Sequence, residues 1–220
     1  MEPYLTRKDG GLVLHGLPDA VKIIGLEGPL ARQLADLTLH QNDLNFADDC
    51  LDAIDLVPAH PPTIREALWR SAIVHVIKCF GNSASRSPLA IKKILKGEPS
   101  EATVVFEYFK NLRHKFIVHD ENALSQAIPC AGINDGSKDQ MVEGIVCLGL
   151  IGQTLEQTNY ANLKRLIRIS MLWTGAQFDV VKSKIKIDLE KCSYEDLIQR
   201  ETPPYRAAEL HEVASKRKTL

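Results

Sequence analysis

The sequence predicts a mainly α-helical domain carrying one small antiparallel β-hairpin. Two observations point there: long runs in which apolar residues recur at three- and four-residue steps, and a switch to branched, apolar segments around Asn134-Asp135-Gly136-Ser137, where Asp-Gly is a strong hairpin signal. A third, the 220-residue length with 45% hydrophobic and 25% charged residues, allows one sizeable core with terminal appendages. The 27 basic and 28 acidic side chains leave a formal net charge of −1. No bulk basicity advertises nucleic acid, so any such contact has to be local, at Lys110/Arg113/His114/Lys115 or at Lys164/Arg165/Arg168.

Residues 1 to 26, with Gly10-Gly11, Leu12-Val13-Leu14 and Pro18, read as an irregular or short-stranded lead-in. The main helical domain then spans 27 to 192. Pro29 suits a first helical turn, and Leu30, Leu34, Leu37, Leu44, Ala47, Leu51 and Ile54 continue the helix to Val57-Pro58. Its polar residues, Asp48 and Asp52 among them, are expected to be solvated. Pro61 and Pro62 break the chain, and Thr63 has the character of an N-cap for a second helix from Ile64 to about Gly81. That helix is apolar on several sides and so central, with His75 as a buried, hydrogen-bonded histidine. A short helix over Pro88 to Leu95 ends near Gly97, and Ser100 caps the next one. The hairpin strands fall at 125 to 133 and 140 to 150. From Thr154 a helical pattern runs to about Cys192, with a bend near Thr174-Gly175. Residues 193 to 220 form a helical tail: a short helix capped by Ser193, then Pro203-Pro204, then a charged last helix from about Arg206 that ends in the solvated Lys216-Arg217-Lys218.

The chemistry concentrates at the end of the helix before the hairpin, in Leu112-Arg113-His114-Lys115-Phe116-Ile117-Val118-His119-Asp120. At about 100° per residue, Val105, Phe109, Leu112 and Phe116 make one apolar stripe and His119 falls on its continuation, at or beside the core. Arg113 lies about 120° round from His119 and roughly 9 Å earlier along the axis. Acting together therefore requires the arginine's reach, a distorted last turn or a second protomer. Against a functional reading stands the macrodipole: helix C-termini attract Lys, Arg and His in any case.

Arg113, five residues, His119 resembles the Arg-x(4 to 6)-His motif of the HEPN superfamily, and the wording of the whole phrase is most similar to its abortive-infection branch. Two positions depart from that branch: His114 stands where Asn or Asp is usual, and Val118 where a small residue is usual. The resemblance implies a HEPN-like helical bundle with a hairpin after the motif helix. It also implies a symmetric homodimer in which two copies of Arg113 and His119 line one cleft, and a toxin or phage-defence role with an antitoxin or regulatory protein as a further partner.

RNA carries its own nucleophile, the 2′-hydroxyl, so cleavage needs a base for that proton, positive charge on the phosphorane and an acid for the leaving oxygen. His119 fits the acid/base role and Arg113 the phosphate clamp. His114, Lys115 and Lys110 add phosphate contacts, and Asp120 orients an imidazole or neutralises Arg113. The activity that the resemblance implies is a metal-independent endoribonuclease without cofactor. The alternative is a non-catalytic helical module that binds nucleotide, RNA or a protein partner. A metal-dependent enzyme built on His75, His119 and carboxylates lacks any His-x-x-x-His or Glu-x-x-His pair. Five widely spaced cysteines without a Cys-x-x-Cys pair, no secretory leader and no long apolar window point to a cytoplasmic protein that does not span a membrane.

Overall fold

A computed structural model describes residues 4–8, 11–56, 61–83, 85–119, 121–203 and 209–215; in the first strand pair only the side chains of Tyr4, Thr6, Val13 and His15 are described. The described residues are mainly helical, with two separate two-stranded antiparallel sheets. In order the elements are β1 (Tyr4–Lys8), β2 (Gly11–His15), α1 (Pro29–Leu56), α2 (Pro62–Lys78), α3 (Ile91–Ile94), α4 (Glu101–Leu112), a π-helical turn (Arg113–Val118), β3 (Ser125–Ile133), β4 (Val142–Ile151), α5 (Gln157–Leu189), α6 (Tyr194–Gln199) and a 3-10 turn (Leu210–Ala214). They divide into two compact units, one of residues 1–39, 83–87 and 175–220 and one of residues 40–82 and 88–174.

The second unit holds the main core. Leu44, Leu51 and Ile54 of α1, Trp69, Ile73 and Val76 of α2, Phe106, Phe109 and Leu112 of α4 and Leu163, Leu166 and Ile167 of α5 are all buried in one cluster. Each set sits at helical spacing, which is why the periodicity found these helices. Trp69 is fully buried yet satisfied: its indole Nε1 donates to Thr154 Oγ1 at 3.0 Å and its ring meets Phe109 edge-on at 6.0 Å. Polar ties bridge the same helices. Lys164 of α5 pairs with Asp48 at 2.9 Å and with Asp52, and Tyr160 donates to Leu51 O at 3.1 Å and to Asp55. Burial, reinforced by Asp55, pushes the Tyr160 phenol above its ordinary range. Asp48 and Asp52 are thus ion-pair partners, where periodicity gave only a solvated face.

In the first unit, β1 and β2 pair from Tyr4↔His15 to Lys8↔Gly11, and Tyr4 stacks on His15 at 4.6 Å. The lead-in is therefore short-stranded. Ser193 caps α6 as expected, its hydroxyl accepting from Asp196 N at 3.1 Å. Gly25 N donates to Glu201 O at 2.9 Å and Lys22 Nζ to Ile198 O at 2.6 Å, joining the early loop to the tail.

Several boundaries differ from expectation for identifiable reasons. The second helix begins at Pro62, with Pro61 rather than Thr63 in the capping position, because a proline at the first helical position has no N–H to satisfy. Ser100 does precede α4, but its hydroxyl meets Glu101 Oε2 at 3.2 Å instead of a backbone N–H. Helix α3 occupies only four residues, with Gly97 at φ +92° close behind. Helix α5 continues through Gly175, and Thr174 Oγ1 returns to Ser170 O at 2.8 Å. The last charged helix falls largely outside the described residues, as do Lys216-Arg217-Lys218; between them Leu210–Ala214 forms the 3-10 turn.

The hairpin after the motif is present, with β3 and β4 close to the expected limits. Asp135-Gly136 does not make a two-residue turn. It lies in a longer loop closed by Asn134 N to Met141 O at 3.0 Å, with Gly136 at φ +78°.

Candidate functional site

The motif lies entirely within the second unit. Helix α4 ends at Leu112 and the chain widens at once into the π-helical turn Arg113–Val118, after which His119 adopts extended backbone (φ −131°, ψ 145°). Glu121 N closes the end by donating to Lys115 O at 2.9 Å. Single π turns inside or at the end of α-helices concentrate at functional positions because the looser winding re-aims side chains. Phe116 anchors this one: it is buried, and the Arg70 guanidinium from α2 lies 5.0 Å from its ring centre. Glu66 holds Arg70 in turn, at 2.6 Å.

The wider winding changes which residues meet. A turn whose register is five residues sets residue 119 over residue 114, whereas α-helical winding would separate the two around the axis. The His114 and His119 rings accordingly stand edge to face with centres 5.7 Å apart. Arg113 joins through its neighbour, its Nη1 lying 2.9 Å from His114 Nδ1. Guanidinium can only donate, so Nδ1 accepts and the His114 proton sits on Nε2. The three side chains form a line: Arg113, His114, His119. Arg113 Nε is buried and has no hydrogen-bond partner, and His114 and His119 are exposed.

His119 is therefore not the core-side continuation of the apolar stripe. Phe109, Leu112 and Phe116 stay buried, but the change of winding and the extended backbone at 119 carry the histidine off that stripe into solvent. Of the alternatives for uniting Arg113 with His119, the distorted last turn is present, with His114 as the intermediary. The two departures from the family phrase also acquire physical meaning. His114 is the middle of the line, and Val118 is half-exposed.

Of the other candidate site residues, Lys115 is exposed on the turn, and Lys110 is engaged by Glu107 at 3.0 Å on the surface of α4. Asp120 lies outside the described residues. The second basic patch is largely neutralised: Lys164 is paired as described above and Arg165 meets Glu98 at 2.7 Å. Sequence reasoning missed Arg70, because nothing along the chain says that α2 packs against the motif turn. Burial pushes the Tyr108 phenol upward, against the hydrogen bond it accepts from Asn159 at 2.9 Å.

His75 is the contrasting histidine. Its Nδ1 lies 2.8 Å from the buried Asp43 carboxylate, which Lys78 also meets at 2.9 Å, and Phe46 packs on its ring at 4.5 Å. Among the described residues no three His, Cys, Asp or Glu side chains are grouped to hold a metal ion, and no helix is long and apolar enough to cross a membrane. Searches against protein-family models, curated proteins and solved structures match nothing to this chain.

Proposed function

We propose that the chain is a HEPN-type, metal-independent endoribonuclease of the toxin or phage-defence kind, acting in the cytoplasm on RNA. The observation that carries the reading is the line Arg113, His114, His119 at the π-helical turn: one permanent cation beside two imidazoles that are exposed to solvent. Imidazole accepts and returns a proton near neutral pH, and guanidinium donates to phosphate oxygens.

In this reading His119 removes the 2′-hydroxyl proton as that oxygen attacks the neighbouring phosphorus. Arg113 stabilises the charge gathering on the phosphorane oxygens. His114, with its proton on Nε2, donates a hydrogen bond to a phosphate oxygen, and the proton that His119 has taken up passes from its imidazolium to the departing 5′-oxygen. The products are a 2′,3′-cyclic phosphate and a free 5′-hydroxyl. A symmetric homodimer, as the family resemblance implies, would double this set across a shared cleft, and an antitoxin or regulator would act by covering it.

A second reading, a binding module without activity, draws support from Arg113 itself, whose guanidinium is already engaged by His114 and partly buried. Induced expression of wild type and His119→Ala in a bacterial host separates the two. The nuclease reading expects growth arrest and RNA breakage with the wild type alone; equal, harmless behaviour of both moves the assignment to the binding module.

A further inference from the structure

The β3–β4 hairpin is an exposed ribbon. Every residue of β4 is exposed, as is nearly all of β3, although the strands are apolar on both faces: Val146, Leu148 and Leu150 on one, Ile145 and Ile151 on the other, these two still 73% and 72% exposed. An isolated two-stranded ribbon is marginal in water.

The two outer edges are not equivalent. Gly152 N donates to Leu124 O at 2.7 Å, which makes Leu124/Gly152 a hydrogen-bonded pair and, by alternation along the register, puts Pro129/Cys147 and Ala127/Gly149 among the pairs whose backbone groups point away from the ladder. On β3 that outward row is interrupted by Pro129, which has no N–H to offer. On β4 it runs through Ile145, Cys147, Gly149 and Ile151 with neither proline nor charge. Glu143, the one charged residue of the strand, sits beside the register irregularity and is engaged by Lys138 at 2.6 Å. The β4 edge therefore lacks the devices that keep edges apart.

We infer that β4 pairs antiparallel with β4 of a second copy of this chain, forming a four-stranded sheet β3-β4-β4-β3. The occupant follows from the residues. A twofold axis at Cys147 sets Gly149 opposite Ile145, Gly144 opposite Leu150 and Val146 opposite Leu148, so each glycine faces a large side chain. Among the described residues nothing approaches within 4 Å of where a Cβ on Gly144 or Gly149 would lie, so none of them calls for glycine at either position. Pro129 blocks continuation beyond β3, so the assembly closes as a dimer instead of growing into a filament. Each copy contributes the ten residues of β4 to the pairing. The inference rests on the hairpin alone and stands apart from RNA cleavage; β4 pairing is the contact that joins the two copies, so a dimer joined at the motif cleft instead would leave the variants dimeric and overturn it.

Light scattering on wild type, Gly149→Pro and Ile145→Lys at about tens of micromolar tests it. Gly149→Pro removes an outward N–H as Pro129 does, leaving the β3–β4 ladder intact; Ile145→Lys puts charge on the edge and covers the case in which the proline variant misfolds. The expected result is twice 24.5 kDa for wild type and 24.5 kDa for either variant with unchanged helical circular dichroism. A short thiol–thiol cross-linker should trap the wild-type dimer and fail with Cys147→Ser. A monomeric wild type, folded variants that stay dimeric, or cross-linking indifferent to Cys147 would each overturn the pairing.

Discussion

His75 and His119 sit in the same compact unit and could hardly be placed more differently. His75 lies within α2, held by a buried carboxylate of α1 that a neighbouring lysine also meets and by a phenylalanine ring of α1. His119 follows a π-helical turn on extended backbone, exposed, touching another imidazole that in turn accepts from an arginine. The first histidine is positioned by a core that would exist without it. The second is positioned by a departure from regular winding that the core has to sustain, and such departures persist only where packing over-determines them. The proposed function puts the chemistry at the second site, and the scaffold beneath it should be separable from the residues displayed on it.

The largest effect that sharpens this contrast is at Phe116. Phe116→Ala removes the buried ring under the π turn and should cost about 3–5 kcal/mol in urea unfolding, with loss of activity following from loss of the turn. Asp43→Ala should cost less, about 1–3 kcal/mol, since His75 and the largely solvated Lys78 can turn to water. Any RNA cleavage by the folded Asp43→Ala fraction should match wild type; a selective loss would mean that His75 belongs to the chemistry. His114→Ala should leave the unfolding midpoint unchanged and slow cleavage about tenfold, the equivalent of one hydrogen bond to a charged group. An unchanged rate would reduce His114 to a bystander and leave Arg113 and His119 unconnected within one protomer.

The scaffold was largely legible because its signals are local. Leu44, Leu51 and Ile54, or Phe109, Leu112 and Phe116, announce their buried face by spacing alone, and β3 and β4 announce themselves by branched residues around Asp135-Gly136. The site was legible only in composition. Arg113, His114 and His119 could be named, but their arrangement depends on a π-helical winding that no local propensity encodes. The same winding overturned the inward placement of His119, which assumed 100° per residue throughout. Arg70 over Phe116 and the Lys164 pairs with Asp48 and Asp52 were hidden because they join helices far apart in the chain. Ser100 misled in a smaller way: it occupies the capping position while its hydroxyl bonds a side chain.

The most direct test of the central claim is cleavage of RNA by purified protein in EDTA, with the product ends identified. Fragments ending in 2′,3′-cyclic phosphate are expected from the wild type, with rates lower by about 10²-fold or more for both Arg113→Ala and His119→Ala at unchanged unfolding midpoints. Cleavage that survives His119→Ala in a folded protein, or that leaves 3′-hydroxyl ends, would contradict it.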